Sequence, residues 1–451
     1  MKKEDVKGVI QKRGIKRIKL ATTDIDGILR GKYVSMEKFF SILENGLGFC
    51  DVIFGWDSKD ELYAKDSITG WRDAYPDALG QIDISTFREI PLEENTALFM
   101  VDFEKGGKHK DVCPRTLLKK VIEQGKELGL DFFAAAEFEF FLFNETPKSI
   151  REKNYKDLET FTPGMFGYSI LRNSVHSDFY HDLLELCEKM DMPLEGIHTE
   201  TGPGVIEAAI NYSDLLSAAD RAVLFKTFTK VLAQQNGLMA TFMAKWSEKY
   251  PGQSGHLHIS AKDKDGNSVF YDKNSEDTIS NEMRWFIGGQ QKLMPEILAM
   301  VAQTCNSYTR LIPGFWAPTQ ATWGLDNRTC ALRAITSSPK SQRVEYRVSA
   351  ADINPYIALS AAVGSGIWGI KNKIEPTEPI KGNAYEVSLP GDFSFPGTLG
   401  EAAKRLKNSK AAREIFGDRF VEHYAMTREW EESEQLKAIT DWQLSRYFEI
   451  I

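Results

Sequence analysis

The chain has 451 residues, 42% of them hydrophobic and 27% charged, with a formal net charge of -8. That length supports two or more domains with large cores, and the mild acidity leaves no basic footprint for nucleic acid. No run of 18 apolar residues occurs, so no membrane span is expected. The five cysteines (Cys50, Cys113, Cys187, Cys305, Cys330) are scattered without a Cys-x-x-Cys pair, and the charged start leads into no apolar signal core. Both features point to reduced thiols and a cytoplasmic location.

In chain order, Arg17 to Asp24 reads as a strand, Asp26-Gly27 as a turn, and Arg30 to Val34 as its returning partner. Residues 1–108 are expected to form a small β-rich unit. The polar, Gly-rich stretch Glu104 to His109 marks the boundary with residues 109–451. Cys113-Pro114-Arg115 opens a helix through about Leu128, with the proline in its first turn. The strand Ala136 to Phe143 follows, and its alternation puts Glu137 and Glu139 on one face among aromatic neighbours. A long helix runs from about Asp214 to Gln235, with Ser213 or Asp214 as its cap and Asn236-Gly237 as its end. Its stripe of Leu216, Ala219, Val223, Phe228, Val231 and Leu232 reads as core. The link Pro251 to Ser254 leads into Gly255-His256-Leu257-His258-Ile259-Ser260, where two imidazoles and a hydroxyl share a face opposite Leu257 and Ile259. Met283 to Ala302 is another helix, with Pro295 as an expected kink. Arg343 to Arg347 alternates charge and bulk, and the tail from Leu399 is mostly helical. Strands and helices mix without a βαβ rhythm, so the fold class is α+β rather than doubly wound.

Taken singly, a Glu-x-Glu strand is ordinarily a solvated face and an Arg-x-Glu-x-Arg strand a surface ladder. Here all three polar strands sit inside apolar flanks, and a buried carboxylate is costly without a compensating cation. Their joint occurrence points to one charged cavity holding divalent metals.

Several of these segments, in order, resemble the glutamine synthetase family of ATP-dependent glutamate–amine ligases. The matching residues are Glu137 to Phe143; His198-Thr199-Glu200 with Gly204 and Glu207; Gly255 to Ser260; Asn306 to Arg310; Asn327-Arg328 with Arg333; Arg343 to Arg347; and Asn354-Pro355-Tyr356. The resemblance covers nearly the whole chain. It implies a small N-terminal β-grasp-like domain and a large catalytic domain whose curved antiparallel sheet forms a funnel flanked by helices. It also implies a homo-oligomer, a dodecamer of two hexameric rings with sites shared between subunits. The implied cofactors are ATP and two or more Mg²⁺ or Mn²⁺ ions per site. By the match, Glu139, Glu200 and Glu207 hold one metal, while Glu137, His256 and Glu345 hold the second. His258 and Ser260 touch ATP. Arg333 and Arg328 neutralise phosphate, and Arg347 serves the transferring group or the γ-carboxylate. Arg310 clamps the α-carboxylate of glutamate, and Gly252 lies beside that amino acid. Asp24 and Asp57 correspond to positions that help a neighbouring subunit bind the amine, although both also sit where Asp favours turns. His258 reads equally as a satisfied sheet histidine and Arg333 as a structural ion pair.

One departure bears on the nucleophile. In Pro313-Gly314-Phe315-Trp316-Ala317-Pro318 the ammonia-using members carry glutamate where this chain has Trp316. An indole accepts no proton from ammonium but offers an apolar wall or a π face. The expected substrates are therefore glutamate and an organic amine. Trp316 as a packing residue beside another base remains open. The carboxylates Glu200 and Glu207 also stand seven apart, one fewer than in ammonia ligases, as in the amine-ligase branch. Tyr385 falls where some bacterial members are adenylylated, but its flanks match poorly. The alternatives are glutamine synthetase using ammonia and a non-catalytic relative.

Overall fold

Short alternating segments at the start of the chain build a five-stranded sheet in the order β2-β1-β5-β4-β3. The computed structural model describes residues 3–451 except Asp66, Gly106 and Glu276, so Gly106 of the expected boundary lies outside the described residues. The strands are β1 (Arg17–Thr23), β2 (Leu29–Val34), β3 (Leu47–Cys50), β4 (Asp77–Glu89) and β5 (Thr96–Asp102). β1 pairs antiparallel with β2, as expected, and parallel with β5. Gly31 on β2 is required there, because a Cβ would meet Leu20 O at 2.2 Å. Helices α1 (Val6–Lys12) and α2 (Met36–Asn45) cover one face, where Ile18, Leu20, Phe39, Ile42 and Phe99 form a core of their own.

The second sheet is larger. It runs β12-β13-β14-β11-β6-β8-β7, with short β9 (Ser213–Asp214) and β10 (Met239–Thr241) also on β6. Its members are β6 (Asp131–Phe143), β7 (Leu194–Thr199), β8 (Val205–Ile210), β11 (Gly255–Lys262), β12 (Trp323–Leu325), β13 (Leu332–Ile335) and β14 (Arg343–Tyr346). The pairings are antiparallel, as expected, except between the edge strand β12 and its neighbour β13, which run parallel. The α+β class is as expected, with a curled sheet backed by helices.

Period-two alternation explains how β6 serves two environments. Phe138 and Phe140 on one face are buried against α7 (Leu215–Gln235), with the Phe138 and Phe225 rings stacked 6.3 Å apart. Glu137 and Glu139 occupy the other face. α7 starts where Asp214 accepts the Ser217 N–H, and its core-forming stripe is buried or half-buried. α3 (Pro114–Lys126) carries its proline in the first turn, where no N–H partner is lost. The remaining helices are α4 (Pro147–Glu152), α5 (Ile170–Val175), α6 (Ser177–Lys189), α8 (Asn281–Ile297), α9 (Pro355–Asn372), α10 (Leu399–Asn408), α11 (Lys410–Phe416), α12 (Asp418–Leu436) and α13 (Asp441–Tyr447). Pro295 falls inside α8, and the segment expected to continue as helix to Ala302 tightens into a 3₁₀ turn at Leu298–Met300. Among the described residues no helix is long and apolar enough to cross a membrane.

Candidate active site

Strand register assembles the site. Directly opposed residues in an antiparallel pair project from the same face. His198 on β7 faces Glu207 on β8, and Glu207 faces Glu139 on β6. Two residues back on β6, Glu137 faces His256 on β11. Two residues on from His256, His258 faces Glu345 on β14, which in turn faces Arg333 on β13. One row of donors therefore crosses six strands.

The distances confirm the convergence. His256 Nδ1 lies 3.5 Å from both Glu137 Oε1 and Glu345 Oε1. His258 Nε2 is 3.2 Å from Glu137 Oε2, and its Nδ1 receives the Arg343 Nε–H at 3.2 Å. Arg333 bridges Glu345, at 2.9 Å, and Asp326, while Arg347 donates to Glu345 Oε1. On the other half, Glu139 Oε2 accepts the Ser254 N–H at 2.7 Å. Donor atoms of His198, Glu200 and Glu207 all lie within 4.8 Å of one another.

The electrostatics of the two halves differ. Burial would raise Glu345, but Arg347 together with His256 and His258 outweighs it and holds the carboxyl at about 2. Burial, reinforced by Arg347, pushes His256 down to about 4, so its imidazole is neutral at physiological pH. Burial pushes Glu207 up to about 11, with Glu137, Glu139 and Glu200 adding like-charge repulsion. Glu139 rises to about 7 for the same leading reason, against the opposing pull of the Ser254 N–H and Arg310. At Glu207 every named neighbour adds to the rise, and at Glu139 the pull of Arg310 is too weak to offset burial. His256 Nε2 is also buried without a hydrogen-bond partner. Crowded carboxylates beside a neutral, orphaned imidazole nitrogen fit divalent cations of the Mg²⁺ or Mn²⁺ type.

The other candidate residues divide into those near this row and those elsewhere. Gly252 sits against Ala244 O and Arg310, where a Cβ would come within 2.7 Å of both. Arg310 is buried, and its fork donates to Val348 O, Arg347 O and Ser254 Oγ, so protein acceptors already engage it. Both His258 nitrogens are likewise engaged by protein, as the reading of a satisfied sheet histidine anticipates. Arg333 makes the ion pairs that its structural reading anticipates. Ser260 lies on the same face of β11, opposite Phe133. Arg328 is exposed beside a cavity of about 330 Å³ that Asp326, Asn327 and Lys381 also line. Trp316 is 57% exposed at a φ of +58°, in a loop whose Phe315 ring lies under Lys245 Nζ at 4.8 Å.

Asp24 and Asp57 make their recorded contacts away from this row. Asp24 Oδ1 accepts the N–H groups of Asp26 and Ile28, and its Oδ2 takes Arg30 Nε at 2.8 Å. Asp57 caps its own loop through the N–H groups of Lys59 and Glu61 and accepts Trp430 Nε1–H at 2.9 Å. Within one chain both act as turn formers. The sequence reading gave no role to Tyr168, whose ring stacks on His198 at 4.3 Å with 9° between planes. Nor did it assign one to His198 itself, although His198 and Glu200 repeat the i, i+2 spacing of His256 and His258.

Comparison with known proteins agrees with this geometry. Residues 111–447 match the family described as glutamine synthetase, catalytic domain. A type-1 glutamine synthetase of Dictyostelium discoideum is 46% identical over 96% of this chain and 84% of its own. A glutamate–isopropylamine ligase of a Pseudomonas species is 38% identical over 99% and 98%. A gamma-glutamylethanolamide synthetase of Streptomyces coelicolor is 32% identical over 99% and 95%. The solved structure of GmaS without ligand has the same fold, with a TM-score of 0.85 at 23% identity over 99% of both chains. The chain belongs to the glutamine synthetase family.

Proposed function

We propose that the protein joins the γ-carboxylate of glutamate to an organic amine, using ATP and passing through a γ-glutamyl phosphate. The observation that carries this reading is Trp316, which places an exposed indole where the ammonia-using pattern has a carboxylate. An amine with an apolar body gains from such a wall, and its cationic nitrogen from the π face. Relatives named as isopropylamine and ethanolamide ligases support the same choice.

Phosphoryl transfer between anions needs alignment and charge neutralisation more than covalent help. Bound divalent cations supply Lewis acidity and neutralise phosphate oxygens. Glu139, Glu200 and Glu207 are assigned to one cation, and Glu137, His256 and Glu345 to the second. His258 and Ser260 border the ATP site. Arg328, Arg333 and Arg347 neutralise phosphate or the transferring group; Arg333 must first share its charge with Glu345 and Asp326. Arg310 orients the α-carboxylate near Gly252, and its fork must give up a protein acceptor to do so. Asp24 and Asp57 are assigned to the amine site of a neighbouring copy. The assembly is proposed as a dodecamer of two hexameric rings, and the location as cytoplasmic.

A second reading, ammonia as the nucleophile, is favoured by the 46% identical relative that is named a glutamine synthetase. The experiment measures ADP release with glutamate plus ammonium against glutamate plus a panel of alkyl, aromatic and polyamines. Faster turnover with an organic amine is expected. Strong turnover with ammonium alone defeats the Trp316 argument. ATP binding without turnover on any nucleophile indicates a non-catalytic relative, against which all six assigned metal ligands being present argues.

A further inference from the structure

Lys245, in the link between β10 and β11, is only 7% exposed, and its Nζ is shielded from solvent without a hydrogen-bond acceptor. A desolvated ammonium is costly unless something answers its charge. What it faces is the ring of Phe315, whose centroid lies 4.8 Å from Nζ, in the loop that carries Trp316. Burial lowers the proton affinity of this ammonium, with Glu248 pulling the other way.

The backbone of Lys245 is clamped from both sides by one residue. Its N–H donates to Asn306 Oδ1, and its carbonyl accepts the Asn306 Nδ2–H, both at 2.8 Å. Asn306 belongs to the 3₁₀ turn Cys305–Thr309, which Arg310 ends. The carbonyl of Ala244, one residue before Lys245, borders Gly252 and accepts the Gln253 N–H at 2.7 Å. The side chain of Lys245 therefore runs from the floor that holds Gly252 and Arg310 to the Trp316 loop.

That loop has few holds of its own. Neither Phe315 nor Trp316 joins an apolar core among the described residues. Gly314 and Trp316 take φ values of +81° and +58°. For a tryptophan this left-handed backbone costs about 1–3 kcal/mol and persists only where the surroundings impose it.

We propose that Lys245 is a positioning residue whose ammonium, seated on the Phe315 ring, holds the loop in the shape that presents Trp316. Its bearing on the reaction rests on the reading of Trp316 as a wall of the amine site. The contact is stronger here than on a surface, because the ammonium has already lost its water.

The test uses the full-length protein without substrates. Chymotrypsin cleavage after Trp316, followed by mass spectrometry, reports how often the loop opens. Lys245→Met keeps the stem and removes the cation, and cleavage is expected to quicken at least about tenfold. Lys245→Arg keeps a cation for the ring and is expected to cleave at nearly the native rate. Phe315→Leu is expected to act like Lys245→Met, and the double variant no faster than either, which also serves should Lys245→Met fail to fold. With whichever nucleophile is turned over, Lys245→Met is expected to raise the KM of that nucleophile severalfold and leave the KM of ATP unchanged. Native-rate cleavage in folded Lys245→Met, cleavage of Lys245→Arg as fast as that of Lys245→Met, or additive effects of the two substitutions overturn the proposal. Faster cleavage with an unchanged nucleophile KM upholds the hold on the loop and counts against Trp316 as the amine wall.

Discussion

At the scale of single residues, the site is a contest between burial and countercharge. Without a cation, Glu207 is pushed up to about 11 and Glu139 to about 7, both from 4.5. At these two carboxyls the folded metal-free protein binds more protons than the unfolded chain above pH 4.5, so their contribution to stability falls as pH rises through that window, while His256, pushed down from 6.5 to about 4, contributes in the opposite sense between those two values. Chemical denaturation of the native protein against Glu207→Gln, in the presence of a chelator, should show the Glu207 share of this decline as a difference between the two that grows from pH 5 to 9, at up to about 1.4 kcal/mol per pH unit. Glu207→Gln should remove part of the slope and stabilise the metal-free protein at pH 8. A difference between the two proteins that does not grow with pH contradicts the picture. Trp316 acts by a different route. Under the proposed reading Trp316→Glu puts a proton acceptor beside the nucleophile, so kcat/KM for ammonium relative to an amine should rise at least about tenfold. An unchanged ratio removes Trp316 from the specificity argument.

At the scale of elements, α3 ties the two sheets together through one buried cation. Arg115 donates to Asp83 on β4 and Asp102 on β5 at 2.8 Å, and to Asp220 on α7 at 2.9 Å. Burial opposes its charge, but Asp220 and its other partners keep the guanidinium firmly protonated. Removing the cation strands Asp83 and Asp220, while Lys119 still pairs with Asp102 at 2.7 Å. Arg115→Met should cost about 3–5 kcal/mol in urea unfolding, because a buried charge left without its partner is penalised more than the pair is worth. A loss under about 1 kcal/mol would mean that water screens the junction. The strands show how far sequence reaches at this scale. Alternation placed Glu137 with Glu139 and His256 with His258 before any fold was known, because side-chain direction along a strand repeats every two residues. Alternation did not reveal that His258 is held between Glu137 and Arg343, or that Arg310 is engaged by carbonyls. Those contacts depend on segments up to 121 residues away.

At the scale of the whole molecule, apolar surface is left uncovered at the end of the chain. Leu436, Ile439, Trp442, Phe448, Ile450 and Ile451 are all exposed on and beside α13. Exposed apolar side chains recurring along one segment fit the association surface that the proposed assembly would need. Removal of residues 437–451 should lower the assembly mass measured by light scattering while the fold, followed by circular dichroism, persists. An unchanged mass would separate the tail from the proposed ring assembly. Asp24 and Asp57 belong to the same question. In the isolated chain each caps a turn, so a part in a neighbouring site requires the second copy that the proposed assembly would supply.

The sequence by itself determined the α+β class, the face of each strand on which the acids and imidazoles stand, and the family to which their order belongs. These follow from local periodicity and from residue identity. Tertiary structure alone decided which strands are neighbours and in what register. That pairing made one row out of separate motifs and brought His198 into it, because a ladder's register is a long-range property and a slip of one residue turns every donor to the opposite face.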